Sequence, residues 1–209
     1  HVSCGRGVAL AAEARARGTD VSIETCPHYL FFTEQDVERL GPVAKCAPPL
    51  RATSEQHELW DELLQEHVDI VASDHSPALP SMKRGDMIAA WGGIAGVQST
   101  LAVLLEAGYH QRGLPLERIS ALLAAEPARR FRIRRKGTIE PGMDGDLVLV
   151  DLNLVATLTS GDLHQRHPLT PYHGYSFRGA VCRTIRRGVT IFHDGRTAAA
   201  NGGRLIRPS

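Results

Sequence analysis

No apolar run in this 209-residue sequence approaches the roughly 20 residues needed to cross a bilayer, so no membrane partner is expected. Charge of one sign is also missing. The formal net charge is +1, too small for a strong general attraction to nucleic acid or to an anionic lipid surface. The local cluster Arg129, Arg130, Arg132, Arg134, Arg135 and Lys136 lacks interleaved aromatic residues, and it reads as the solvated end of a helix rather than a nucleic-acid site. The four cysteines (Cys4, Cys26, Cys46, Cys182) form no CxxC pair. That argues against a structural zinc site and a disulfide scaffold, and points to a reduced, cytoplasmic setting. Internal repeats and low-complexity segments are absent. An initiating methionine is absent too: the chain opens on "HVSCGRG", as if a strand had just ended, which reads as the carboxyl-terminal part of a longer protein.

What remains is an ordinary globular composition, 43% hydrophobic and 22% charged, long enough to bury a real core. Residues 8–17 are Ala-rich with alternating charge, and Gly18 stands where a helix C-cap belongs. "DVSIET" (20–25) alternates apolar and polar residues and predicts a strand ending at "CPHY". The run 42–51 repeats that pattern before a Pro-Pro stop. Residues 53–66 place Leu59, Leu63 and Leu64 at helical spacing, and 68–73 is again strand-like. Strands alternating with helices predict βα units and a parallel sheet. A Pro-, Met- and Gly-rich loop (76–96) and two further helices follow. From Gly137 the runs alternate with period two between Gly-marked turns, which predicts all-β structure and a domain boundary near residue 136.

The strand ends carry the chemistry. In a parallel barrel all strands aim their carboxyl ends at one rim, and the reaction site lies there. His28 and Asp74 each follow a strand-like run and His1 opens the chain where a strand reads as just ended; imidazole with carboxylate is a donor set that suits zinc. Taken singly, each histidine also reads as a packed side chain, and Asp74 as the cap of a Ser-Asp-His-Ser-Pro turn.

"HVS", "ETCPHYLFF", "AKCAPPLR", "SDHSP" and "AWGGIAGVQS", in this order, together resemble the cyclic amidohydrolases, the family of allantoinases, hydantoinases, dihydropyrimidinases and dihydroorotases. The likeness is greatest to the allantoinase branch. "KGTIEPGMDGDLVLVDL" is similar to the stretch by which these enzymes enter a small β-sandwich after the barrel. The resemblance implies an α/β fold: the carboxyl-terminal half of a (β/α)₈ barrel over residues 1–136, then part of a β-sandwich over 137–209. It implies two divalent metal ions, zinc foremost. His1, at the fifth strand tip, and His28, at the sixth, would bind one ion. Asp74, after the eighth strand, would bind the other and serve as general base. Cys46, Ala47, Gly92 and Gly93 are the implied backbone contacts to the substrate, with His75 and Ser76 flanking its ring. The implied reaction is hydrolysis of a cyclic amide, allantoin to allantoate, by a homo-oligomer, in particular a tetramer.

Two features of the family pattern have no counterpart here: the HxH pair of the first strand and the carboxylated lysine of the fourth. Lys45, Lys83 and Lys136 do not stand at comparable strand tips, so the bridging lysine is expected outside this sequence. Competing readings are a hydantoinase, dihydropyrimidinase or dihydroorotase, and a non-catalytic scaffold on the same fold. Retention of His1, His28 and Asp74 argues against the scaffold.

Overall fold

The computed structural model describes residues 1–198 and 202–208. Helix α1 (Gly5–Ala16) is the first helix, starting three residues earlier than the alanine pattern suggests. It packs on α4 (Thr53–Leu64), whose Leu59, Trp60 and Leu63 are fully buried. The two helices approach so closely at Gly5 that a Cβ there would lie 2.6 Å from that of Glu58. Between them run α2 (Pro27–Phe31) and α3 (Glu34–Leu40). The side chains of α4 also anchor α2: Trp60 Nε1 donates to Leu30 O at 2.9 Å, and Gln56 Nε2 to Phe32 O at 2.9 Å. These bonds satisfy carbonyls at the end of α2 that the helix itself leaves without donors.

The parallel sheet is short. Strand β1 (Glu24–Thr25) pairs with β2 (Ile70–Val71), Glu24 opposite Ile70 and Thr25 opposite Val71. Val2 bonds to the other edge of β1, its N–H donating to Glu24 O at 2.8 Å. Successive carbonyls of an extended chain point to opposite edges, so β1 lies between the opening residues and β2. Asp69 ties the layer together: it accepts from Arg15 of α1 at 2.9 Å and from the Ile23 N–H at 2.7 Å. Residues 42–51 depart from expectation. They form a 3₁₀ turn at Gly41–Ala44 rather than a strand, because Pro42 stands in its first turn and Pro48 and Pro49 have no N–H to give a ladder.

Two longer helical stretches follow the loop 76–96. Residues 97–110 pass from a 3₁₀ turn through α5 (Thr100–Val103) into a wider turn at Leu104–His110. Residues 116–130 run α6 (Leu116–Ser120), a second wide turn and α7 (Glu126–Arg130). The chain then becomes an antiparallel sheet of β3 (Leu147–Thr157), β4 (Ser176–Arg186), β5 (Val189–His193) and β6 (Arg196–Thr197), paired in that order. Arg187–Gly188 and Asp194–Gly195 both have positive φ at the two central positions, the geometry tight hairpins need. The sheet joins the helical layer through aromatic contacts. Phe31 and Phe32 of the α2 segment meet Tyr172, Tyr175 and Phe177, with ring centroids 4.8–5.7 Å apart. None of the described helices is long and apolar enough to span a membrane.

Candidate active site

The site forms where the opening residues, β1 and β2 end side by side. His1 precedes the segment paired to β1, Cys26 directly follows β1, and Asp74 lies three residues past β2. Asp74 takes a left-handed backbone (φ 43°), a conformation aspartate tolerates better than most residues. Its carboxylate Oδ1 lies 3.4 Å from His1 Nε2. On the far side of the same ring, Glu24 Oε1 lies 2.6 Å from Nδ1. A neutral imidazole that donates Nδ1–H to Glu24 turns the Nε2 lone pair toward Asp74. Two acceptors then face each other at a spacing ordinary for ligand atoms sharing a metal centre, and a cation between them resolves the conflict. The donor set therefore fits a divalent metal.

Cys26 completes the group. The ligand atoms of His1, Cys26 and Asp74 all lie within 4.8 Å of one another. The Cys26 thiol is buried, and that burial, followed by the Asp74 charge, pushes its pKa well up, so without a cation nearby it stays protonated. Burial also raises the carboxyls of Glu24 and Asp74.

His28 is not among the three side chains of this cluster. Cys26 is still extended (φ −125°, ψ 150°) and keeps the strand-tip position. Helix α2 starts at the next residue, with Pro27 in its first turn, and each helical step rotates the chain by about 100°. His28 is thereby carried inward. Its ring is fully buried, edge-on to Tyr29 at 4.2 Å, and neither nitrogen has a hydrogen-bond partner. Burial lowers its pKa to about 4, so it is neutral in the fold. Cys26 was the residue sequence reasoning passed over; standing immediately after the strand was its only signal.

A second wall faces the rim. Gly93 N–H donates to Lys45 O at 3.0 Å, and Ser76 N–H to Ile94 O at 2.9 Å. Trp91 Nε1 donates to Ser76 Oγ at 3.2 Å. A Cβ on Gly93 would lie 2.6 Å from the Ser76 Cβ and 2.9 Å from Trp91 Nε1, so only glycine fits. A Cβ on Gly92 would be 3.8 Å from Ala47 Cβ, placing the 92–93 and 46–47 segments edge to edge. Ala47 is exposed, whereas Cys46 is buried, and burial pushes its thiol up to about 12. His75 pairs with Ile94 in an isolated bridge, and its Nδ1 accepts from Val97 N–H at 3.3 Å. That commits one face of the His75 ring to holding the loop.

The donor set makes this rim a candidate metal centre. The model of the amidohydrolase family matches residues 13–198, and the chain belongs to that family. It is 59% identical over its whole length to an allantoinase of Solibacter usitatus and 57% identical to one of Rubrobacter xylanophilus, spanning 46% of each. Among solved structures it superposes with a TM-score of 0.94 on the L-hydantoinase (dihydropyrimidinase) of Arthrobacter aurescens, at 31% identity, covering 99% of this chain and 47% of that one. The D-hydantoinase of Thermus sp. gives 0.93 at 27% identity, with 100% and 47% covered. The chain thus spans a little under half the length of the relatives it matches.

Proposed function

We propose that this chain forms the part of a cyclic amidohydrolase that carries the proton-shuttling carboxylate and the substrate wall, and that the reaction is opening of allantoin to allantoate. The observation that carries this reading is the His1–Asp74 approach at 3.4 Å with Glu24 behind the ring. The allantoinase relatives, alike over the whole of this chain, supply the substrate.

His1, His28 and Asp74 would hold the divalent metal centre, which polarises the substrate carbonyl and lowers the pKa of a water toward neutrality when it is bound. Asp74 takes the proton of the attacking water as the water oxygen adds to the ring carbonyl carbon. The same carboxyl returns that proton to the ring nitrogen as the C–N bond breaks, which restores the Asp74 carboxylate; the second proton of the water stays on the new carboxyl group and is released as that group ionises to give allantoate. The backbone edges at Cys46–Ala47 and Gly92–Gly93, with the Ser76 hydroxyl, grip the amide groups of the ring and hold its carbonyl against the attacking water. His75 and Ser76 flank the bound ring. In this reading residues 1–136 belong to a barrel and 137–209 to a small sandwich.

The test is a comparison of allantoin, hydantoin and dihydrouracil as substrates for the natural polypeptide that carries this sequence, loaded with zinc or manganese. Allantoin should be opened with a kcat/KM at least about tenfold above the others, a discrimination of roughly 1.4 kcal/mol in transition-state binding. A preference for hydantoin would move the assignment to the hydantoinases. No turnover of any cyclic amide would remove it.

A further inference from the structure

Two lysines of this chain are used in a way the reaction does not explain. Lys83 ends a 3₁₀ turn (Pro80–Lys83) in a loop whose composition suggests solvent, yet it is only 6% exposed. Its Nζ donates to Lys45 O at 2.9 Å and to Trp91 O at 3.0 Å. Lys45 answers in the opposite direction, its Nζ donating to Ile88 O at 2.8 Å and Ala90 O at 2.7 Å. Both ammonium groups thus spend their donors on main-chain carbonyls, each reaching across to the other's segment. Burying an ammonium costs several kcal/mol unless its donors are matched, so such a side chain is retained where the matched carbonyls need holding. Burial brings the Lys83 pKa down to about 8, and the like charge of Lys45 acts in the same direction.

The carbonyls it holds are those of residues 45 and 91. Each directly precedes a pair of residues in the substrate wall, Cys46–Ala47 and Gly92–Gly93. Lys45 O also accepts the Gly93 N–H at 3.0 Å, and Trp91 N–H donates to Met82 O at 2.9 Å beside Lys83. We propose that Lys83 and Lys45 are positioning residues, a crossed pair of ammonium clamps that locks residues 80–93 onto residues 45–47 and sets the gap between the two backbone edges gripping the cyclic amide. The local clamp stands on the hydrogen bonds alone; its effect on the substrate rests on the function proposed above.

The experiment separates the two. Hydrogen exchange on Lys83→Met should speed exchange of the Trp91 and Gly93 amides by about tenfold or more, while amides of β3 and β4 keep their rates, because only local opening becomes easier. Lys45→Met should act on the same amides. In turnover by the natural polypeptide, Lys83→Met should raise KM for allantoin about tenfold and leave kcat within about threefold, since ground-state and transition-state binding weaken together. Lys83→Arg, which keeps the cation and its donors, should recover part of that loss. Unchanged exchange at Trp91 and Gly93 overturns the clamp. Faster exchange throughout the chain reduces it to general stability and overturns it equally. Faster local exchange with an unchanged KM in an active enzyme overturns the positioning role. If the unaltered polypeptide opens no cyclic amide, the proposed function falls while the exchange result still decides the clamp.

Discussion

Glu24 and Asp74 hold opposite faces of one imidazole: Oε1 of Glu24 is 2.6 Å from His1 Nδ1, and Oδ1 of Asp74 is 3.4 Å from Nε2. The parallel sheet makes this possible. Glu24 is on β1, Val2 is bonded to that strand, and Asp74 emerges from its other neighbour, so all three meet at one end of three adjacent segments. A carboxylate behind a histidine sets the tautomer and raises the basicity of the opposite nitrogen.

Glu24→Ala should therefore weaken metal binding about 10–100-fold, the usual effect of removing a carboxylate that orients a ligating histidine. Competition with a chromophoric chelator measures it. Unchanged affinity would mean that His1 needs no support or holds no metal.

Asp74→Asn keeps the size of the side chain but removes its charge and its basic oxygen. Turnover of allantoin at saturating metal should fall by at least about 10²–10⁴-fold, the range of general-base catalysis alone. Ser76→Ala should instead raise KM by roughly 2- to 10-fold, the loss of one neutral hydrogen bond. If Asp74→Asn kept a near-normal kcat, Asp74 would be reduced to a turn residue.

Gly93→Ala would push a methyl group into the Ser76 side chain, 2.6 Å from its Cβ. Overpacking of this kind costs about 1–3 kcal/mol, or a melting temperature lower by roughly 2–10 °C for a chain of this size. Pairing it with Ser76→Gly removes the two shorter contacts, leaving only Trp91 Nε1 at 2.9 Å, and should recover more than half of the loss. Two losses that simply add would show that the glycine is needed for another reason.

His28 makes stability depend on pH. Its folded pKa is about 4 against an ordinary 6.5, so the unfolded chain binds a proton that the folded chain refuses. Stability is complete above pH 6.5 and is lost progressively as the pH falls toward 4, by on the order of 3 kcal/mol. Denaturant unfolding of the wild type and of His28→Leu across this window checks it. The substitution should flatten the pH dependence, and an equal slope in both proteins would show that another group is responsible.

Much of this protein was legible along the chain because local physics repeats at short range. Helix periodicity around Leu59 and Leu63, period-two alternation beyond Gly137 and the turn pairs Arg187–Gly188 and Asp194–Gly195 each depend on residues a few positions apart. Asp74 was readable as a rim candidate for the same reason, since it closes an apolar run. Only the tertiary structure decided which side chains share a space. Pro27 starts a helix at the strand tip, so Cys26, still extended, comes beside His1 and Asp74 while His28 is buried within α2. Pro42 and the proline pair at 48–49 denied a third strand its hydrogen bonds. The burial of Lys83 had no signal in its own loop, because its partners, the carbonyls of Lys45 and Trp91, lie 38 and 8 residues away. Sequence patterns encode which way a side chain faces on its own element; distances between elements are set by packing, which no local period contains.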